Sequence, residues 1–151
     1  DQNPPVEVVT LPEGSWGKGG FHWIWLNDWT KWTWKHVYEN EKLMQEAAQK
    51  YGDRTDEPVA SLLKLLAREL VLLESSDWQF LISTWSARDY AEMRFSNHNS
   101  DFHRILDMLN KVSEGETLSD AEKEQINEIS ERDKIFEHIE PKWWAKVEFE
   151  R

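Results

Sequence analysis

The segment at residues 59–73 constrains the fold of this chain most strongly, because it is apolar nearly all round a helix. Pro58 is tolerated in a first helical turn, and Asp56 before it is a suitable N-cap, so we expect a helix to begin here. Its polar positions form only a narrow stripe, which consists of Ser61, Lys64 and Arg68. A helix with so little polar surface must be surrounded by other helices. The pattern therefore predicts a helical bundle with this helix at its centre.

Further helices are predicted on both sides of this central segment. A first helix runs from about Trp29 or Thr33 to Tyr51, where Gly52 stops it. A short helix begins at Asp77, for which we favour the N-cap role over a ligand contact.

The longest predicted helix covers residues 86–113 and is ended by Gly115. Apolar side chains recur along it in alternating steps of four and three residues, which is typical of a bundle seam. The seam consists of Ala91, Phe95, His98, Phe102, Ile105, Leu109 and Val112. We interpret His98 as a satisfied core histidine.

A capping box begins the last predicted helix, since Ser119 is followed three residues later by Glu122. Its apolar positions before the closing Pro141 are Ile126, Ile129, Ile135, Phe136 and Ile139. The predicted fold is therefore all-α, a bundle of four to five helices with a long Gly/Trp-rich N-terminal loop.

We expect the whole chain, residues 1–151, to form a single helical domain. An extended segment and loop occupy residues 1–28, the bundle occupies 29–140, and a tail follows at 141–151. Valines in the extended segment could pair on a neighbouring surface; they are Val6, Val8 and Val9.

Charge and composition exclude some classes of partner. The formal net charge of −11 would repel nucleic acid but not a neutral polymer. No apolar run approaches the ~20 residues that span a bilayer, so we expect no membrane partner. The lack of cysteine excludes disulfides and is compatible with the cytoplasmic location that we expect. Because the first residue is Asp1 rather than Met, we expect a segment of a longer protein.

The sequence carries no catalytic motif that we can identify. Glycosidic bond chemistry usually needs two carboxyl groups across the bond, but the acidic residues here lie mostly on predicted helix faces as solvated charge. His98 and His103 are five residues apart and lie on different faces of a helix, which argues against a metal site. We therefore expect no catalytic residue, no metal and no cofactor, and an isolated chain that is inactive.

Residues 11–27 form a loop rich in both glycine and tryptophan. It holds four of the six glycines and three of the ten tryptophans. Glycine permits backbone conformations that side chains forbid, and indole faces suit the C–H faces of sugar rings. Trp16 and Trp25 are therefore predicted to bind a ligand. Three tryptophans that follow have the spacing of core residues, namely Trp29, Trp32 and Trp34.

Two residues of the loop leave alternatives open. Of Trp23 and Trp25, we expect one side chain in the core and the other exposed. His22 could donate a hydrogen bond to a sugar hydroxyl, or it could buttress the glycine loop.

Two long and unusual strings occur in a fixed order along the chain. LPEGSWGxGGxHxxWLN covers residues 11–27 and is followed by WTW at 32–34. SSDWQFLI covers residues 75–82 and is followed by ARDYAE at 87–92. Together they resemble the C-terminal helical domain of the α-1,4-glucan branching enzymes in glycoside hydrolase family 57. The resemblance spans about residues 8–110.

This resemblance implies a parent protein with an N-terminal β/α barrel that carries a glutamate nucleophile and an aspartate acid/base. The family reaction cleaves an α-1,4 bond of a glucan and transfers the chain to a 6-hydroxyl, which makes an α-1,6 branch. The barrel and both carboxylates are absent from this sequence. The expected partners are therefore an α-glucan, such as glycogen or an amylose-like chain, and the barrel of the parent chain.

The resemblance also implies which residues contact substrate. The tryptophans that match Trp16 and Trp25 face the donor glucan in such enzymes, and the segment with Ser76, Asp77 and Trp78 lies near the cleft. The expected substrate-binding residues are Trp16, His22, Trp25, Asp77 and Trp78.

The chain departs from the family at Trp23 and Trp85, where smaller or less aromatic residues are expected. Three alternatives to the branching-enzyme domain are open. One is a self-standing α-glucan-binding module, and another is the equivalent domain of a different family 57 amylase or glucanotransferase. The third is an interaction protein whose tryptophans form a subunit interface.

Overall fold

A computed structural model describes residues 7–146 and shows an all-α architecture. These residues form five helices of eight or more residues and a final helix of four, with no strand assigned among them. The helices are α1 (Lys31–Tyr51), α2 (Val59–Leu73), α3 (Asp77–Thr84), α4 (Arg88–Ser113), α5 (Asp120–Arg132) and α6 (Lys142–Ala145). The predicted helical bundle is thereby confirmed. Within 7–146, no helix is long and apolar enough to cross a membrane.

Helix α2 lies at the centre of the bundle, as its apolar circumference predicts. Ten of its 15 residues are buried, and it packs chiefly against α1 and α4. Side chains of the shared core include Met44 and Ala48 of α1 and Phe102 and Leu109 of α4. Each fully buried apolar side chain contributes about 1.5–3 kcal/mol to stability. The enclosure of α2 therefore contributes substantially to the stability of the fold.

The predicted seam of α4 faces this core. Its first six members, from Ala91 to Leu109, are buried, and Val112 is half-buried. His98 is a satisfied core histidine, as expected. Its Nδ1 atom lies 2.7 Å from the carboxylate of Glu69, and its Nε2 atom lies 3.1 Å from the guanidinium of Arg94.

Helix ends that depend on nearby residues alone agree with the sequence. Helix α1 ends at Tyr51, directly before Gly52. The capping box of α5 is complete, because the N–H of Ser119 donates to the Glu122 carboxylate at 2.6 Å and the N–H of Glu122 donates to Ser119 Oγ at 3.3 Å.

The predicted caps of α2 and α3 are wrong. The Asp56 carboxylate accepts two bonds from the guanidinium of Arg54, at 2.5 and 2.6 Å, and does not cap α2. Asp77 is the first residue of α3 and not its N-cap, which is Ser76. The Asp77 carboxylate instead accepts a bond from Ser75 Oγ at 3.0 Å. A carboxylate in this first turn still interacts favourably with the helix dipole.

The last predicted helix is shorter in the structure than the sequence predicts. Helix α5 ends at Arg132, and Pro141 precedes α6 rather than closing α5. The chain leaves helical geometry at Asp133, whose carboxylate accepts a bond from Arg94 of α4 at 2.7 Å. This contact between distant residues lies where α5 ends, and Phe136 beyond it is exposed.

The extended N-terminal segment lies partly outside the described residues. Val6 belongs to that part, while Val8 and Val9 are exposed. No neighbouring surface within residues 7–146 covers these two valines.

We predict that Leu66→Ala lowers the free energy of unfolding by about 2–5 kcal/mol, because Leu66 is fully buried in α2 and its loss leaves a cavity. Lys64→Ala, two residues earlier on the exposed side of α2, is the matched control and should change it by less than about 0.5 kcal/mol. Urea denaturation measures both. Equal effects of the two variants would contradict the central position of α2.

Candidate functional site

Hydrogen bonds close the glycine-rich loop on itself. The N–H of Ser15 donates to the carbonyl of Gly20 at 2.9 Å, and the N–H of His22 donates to Ser15 Oγ at 2.7 Å. Gly17 has a φ of 77°, and a Cβ atom there would lie 3.2 Å from the side chain of Ile24. Glycine is therefore favoured at this turn for its conformation and for its size.

Asn27 and Ser83 anchor the loop to α3. The side-chain amide of Asn27 donates to the carbonyl of Trp23 and to Ser83 Oγ, each at 2.7 Å. Ser83 donates in turn to the carbonyl of Ile24 at 2.5 Å, and Ile24 is itself buried. The loop is thus a fixed part of the bundle surface.

Trp16 and Trp25 form an exposed aromatic surface on this loop. Trp16 is 67% exposed, and its ring centroid lies 6.4 Å from that of Trp25 and 5.7 Å from that of Phe80. Trp25 is half-buried, and its carbonyl accepts bonds from Thr30 Oγ1 and from the indole N–H of Trp34, both at 2.8 Å. We call Trp16, Trp25 and Phe80 the Trp16–Trp25 surface. Its rings are not sealed among aliphatic side chains.

A cleft of about 460 Å³ lies beside Trp25, within the usual size range of ligand sites. Its lining residues are His22, Trp25, Leu26, Trp34 and Tyr38. The rings of Trp34 and Tyr38 pack at 5.9 Å. Most of the wall is apolar, while the imidazole of His22 and the hydroxyl of Tyr38 are groups that can exchange hydrogen bonds with a ligand.

Three of the five predicted site residues come together in the structure. His22 joins Trp16 and Trp25, because its carbonyl accepts a bond from the N–H of Trp25 at 3.0 Å and its side chain lines the same cleft. Its imidazole lies 3.3 Å from the carboxylate of Glu13. Both readings of His22 fit this geometry, since its backbone buttresses the loop and its side chain reaches the cleft.

The other two predicted site residues lie on α3. Asp77 is exposed, and its contact with substrate stays a prediction. Trp78 packs against a small core cluster of Val37, Leu73 and Phe95, and its indole N–H donates to the carbonyl of Leu72 at 2.8 Å. Trp78 therefore contacts the protein interior here and stabilises the attachment of α3.

The expectation that one of Trp23 and Trp25 is buried and the other exposed is wrong. Both are half-buried, and the buried residue between them is Ile24. The segment turns instead of extending, because the N–H groups of Trp25 and Leu26 both donate to the carbonyl of His22, at 3.0 and 2.9 Å.

The prediction that Trp29, Trp32 and Trp34 are core residues is only partly correct. Trp32 packs on the ring of Phe95 at 5.1 Å, as a core residue should. Trp34 is half-buried and lines the cleft, whereas Trp29 is 38% exposed. Sequence reasoning also missed Tyr38, although its position four residues after Trp34 puts the two on one helix face.

A carboxyl pair that the sequence did not reveal lies between α1 and α2. Glu41 and Glu74 share a side-chain hydrogen bond. Burial, followed by the charge of Glu41, raises the pKa of Glu74 to about 7, and burial also raises the pKa of Glu41. Carboxyl groups that flank a glycosidic bond lie about 5 Å or more apart. Two hydrogen-bonded carboxyls leave no room for a sugar, so this pair is a proton-sharing contact and not a catalytic dyad.

We predict that Glu74→Gln removes a pH dependence of stability. Between about pH 4.5 and pH 7 the folded chain keeps a proton on Glu74 that the unfolded chain has released. The free energy of unfolding of the unsubstituted chain should therefore fall as pH rises through this window and level off above it. Urea denaturation at about pH 5 and pH 8 measures the fall, with the exposed Glu128→Gln as control. A parallel fall in Glu74→Gln would refute the assignment.

These features define a small all-α domain with an exposed aromatic surface that suits a neutral ligand. Residues 36–144 match the family described as 1,4-alpha-glucan branching enzyme, C-terminal. The match covers more than two thirds of the chain, and the chain belongs to this family.

Known relatives agree with this membership. A 1,4-alpha-glucan branching enzyme of Thermococcus kodakarensis is 39% identical over 131 residues, which cover 87% of this chain and 19% of that enzyme. The crystal structure of a GH57-type branching enzyme from Pyrococcus horikoshii is 42% identical, with a TM-score of 0.85, over 93% of this chain and 26% of that one.

A second solved structure is that of the Thermococcus enzyme, a GH57 branching enzyme crystallised in complex with glucose and additives. It is 38% identical with a TM-score of 0.73, over 82% of this chain and 22% of that one. The chain thus spans about a fifth of the curated relative and about a quarter of the solved structures that it matches.

We predict that Asn27→Ala loosens the loop without unfolding the bundle, because it removes the amide donor to Trp23 and Ser83. The substitution also removes the bond from the N–H of Trp29 to Asn27 Oδ1, at 2.8 Å. The loss of three hydrogen bonds of about 1 kcal/mol each should speed trypsin cleavage after Lys18 roughly 5- to 150-fold. Asp28→Ala is the matched control, since Asp28 is exposed and binds only the neighbouring turn through Lys31. Similar cleavage rates in both variants would show that Asn27 is not the anchor.

Proposed function

We propose that this chain is the C-terminal domain of a 1,4-α-glucan branching enzyme. In this proposal it supplies tryptophans to the glucan-binding cleft and contributes no catalytic carboxylate. The observation that carries the proposal is the exposed ring of Trp16 in contact with Trp25, on a loop that hydrogen bonds fix to the bundle. The family membership supports the choice of an α-glucan as the ligand.

The physical chemistry of sugars supports this role. A pyranose ring presents C–H groups on its faces and hydroxyl groups around its edge. The faces pack on indole, and the hydroxyls need polar partners, which His22 and Tyr38 can provide at the cleft beside Trp25. By analogy with the stacking of bases on aromatic rings, each contact contributes on the order of 1–3 kcal/mol. Two rings would therefore hold a glucan weakly unless another surface contributes.

That second surface, in our proposal, is an N-terminal β/α barrel of the same parent protein. The relatives are four to five times longer than the stretch they share with this chain, which leaves room for such a catalytic domain. The barrel would supply the glutamate nucleophile and the aspartate acid/base. The tryptophan-bearing loop would lie across the cleft and exclude water, so that the glucan passes to a 6-hydroxyl and is not hydrolysed.

A self-standing α-glucan-binding module is the alternative to this half-site, and electrophoresis of the chain in a glycogen gel separates them. Glycogen retards the migration of a module that binds α-glucan by itself. It does not retard a half-site, that is, a domain that completes its binding site only with the barrel. We expect little retardation.

We predict that Trp16→Ala or Trp25→Ala in the full-length protein lowers branching activity roughly 5- to 150-fold, which corresponds to about 1–3 kcal/mol of binding. Iodine staining of amylose measures the loss. Trp143→Ala is the matched control, because Trp143 is a tryptophan of similar exposure, 62%, at the other end of the chain. Unchanged melting temperatures would show that all variants are folded. Wild-type branching by both loop variants would leave the loop with a structural role only.

A further inference from the structure

A second group of tryptophan rings lies on the surface next to the loop. The centroids of Trp23 and Trp29 are 5.7 Å apart, and those of Trp29 and Trp85 are 5.6 Å apart. Both pairs meet edge to face, which is a favourable geometry for aromatic rings. We call Trp23, Trp29 and Trp85 the Trp85 cluster.

Packing within the domain does not account for this cluster. Trp85 is 60% exposed and Trp29 is 38% exposed, so much of their indole surface meets solvent. Other tryptophans are built into the fold through bonds from their indole N–H groups to backbone carbonyls; these are Trp32, Trp34 and Trp78.

The backbone conformation of Trp85 also indicates a role beyond packing. Trp85 closes α3 in a left-handed conformation with a φ of 58°. Glycine is the residue that adopts this conformation most easily, and a bulky side chain opposes it. A large aromatic side chain is thus held at a strained position and presented to solvent. Such strain is a common feature of binding sites.

Two cations lie against the rings of the Trp85 cluster. Lys18 Nζ is 3.3 Å from the ring centroid of Trp23, and the guanidinium of Arg88 is 4.7 Å from that of Trp85. Both groups can donate hydrogen bonds to hydroxyls beside an indole face. The charge of Arg88 is compensated by Glu92, at 2.7 Å, and the chain carries a net charge of −11. These charges favour a neutral ligand over an anionic one.

Helix α3 connects the Trp85 cluster to the Trp16–Trp25 surface. Phe80 contacts Trp16, and Trp85 contacts Trp29. Residues 80 and 85 are five apart, which corresponds to about 7.5 Å along a helix axis and about 140° around it. The two aromatic groups therefore lie on different sides of α3 and belong to the same unit of loop and helix. A polymer of several sugar units can reach both, whereas a single sugar cannot.

We infer that the Trp85 cluster is a second binding site for the same α-glucan chain, beyond the Trp16–Trp25 surface. This inference rests on the proposed glucan ligand. Trp85 provides the exposed face, while Arg88 and Lys18 provide donors to hydroxyl groups. The site extends the length of glucan that the domain contacts, and so favours long chains over short ones.

The test is an NMR titration of the 151-residue chain, labelled on its tryptophan indole nitrogens, with maltoheptaose. NMR detects the weak binding that a half-site gives. We expect the indole signals of Trp85 and Trp29 to shift together with those of Trp16 and Trp25. Each signal is assigned by its loss in a variant in which that one tryptophan is replaced.

Trp85→Gly is the decisive variant, because glycine suits the φ of 58° at this position and the helix end should keep its geometry. We expect the melting temperature of this variant to be at least that of the unsubstituted 151-residue chain. The dissociation constant for maltoheptaose, read at Trp16 and Trp25, should rise about fivefold, which is one stacking contact. Trp143→Ala is again the control and should leave it unchanged.

The outcomes separate this inference from the proposed function. Shifts at Trp16 and Trp25 without shifts at Trp85 would overturn the second site and leave the proposed function standing. A titration in which no indole signal moves would also overturn it, while the proposed function is judged by the branching activity of the full-length variants. A dissociation constant of Trp85→Gly equal to that of the unsubstituted 151-residue chain would exclude a contribution from the cluster.

Discussion

Helix α2 carries apolar side chains on nearly every side, and water must be excluded from all of them at once. Helices α1 and α4 provide most of that cover. Two charged residues are nevertheless buried within α2, which is costly unless each finds partners. The carboxylate of Glu69 lies 2.7 Å from His98, and Arg68 donates to the carbonyls of Ile129 and Ser130 at 3.0 and 3.1 Å. These contacts tie α2 to α4 and α5 and fix its position relative to them.

The position of the aromatic surface follows from that arrangement. Helix α3 is fixed against α1 by a buried hydrogen bond of 2.9 Å from Gln79 to Thr33, and by the packing of Trp78 on the small core cluster. The loop is fixed to α3 in turn through Asn27 and Ser83. Each step joins residues far apart in the sequence. A surface built in this way would lose little conformational entropy on binding the proposed ligand, because folding has already ordered it.

The sequence predicted features that depend on neighbours along the chain. The period of apolar residues gave the helices, and the capping box of Ser119 marked the start of α5 correctly. The sequence did not predict features that depend on contacts between distant residues. Arg94 binds Asp133 where α5 ends, and nothing near Asp133 in the sequence signals that contact. The site divides in the same way, since flanking glycines marked Trp16, whereas the neighbours of Trp85 come from another part of the chain.

The two aromatic groups differ in a way that bears on how a glucan would be held. Trp16 projects from a glycine-rich turn, which hydrogen bonds close on itself and which Asn27 anchors to α3. Trp85 stands at the end of a helix, against the edge of Trp29 and beside Arg88, and has little freedom to move. A chain bound at both groups would contact two parts of the domain, the glycine-rich loop and the end of α3. In the branching enzyme that we propose, a second contact on the same glucan would lower the chance that the chain is released between cleavage and transfer.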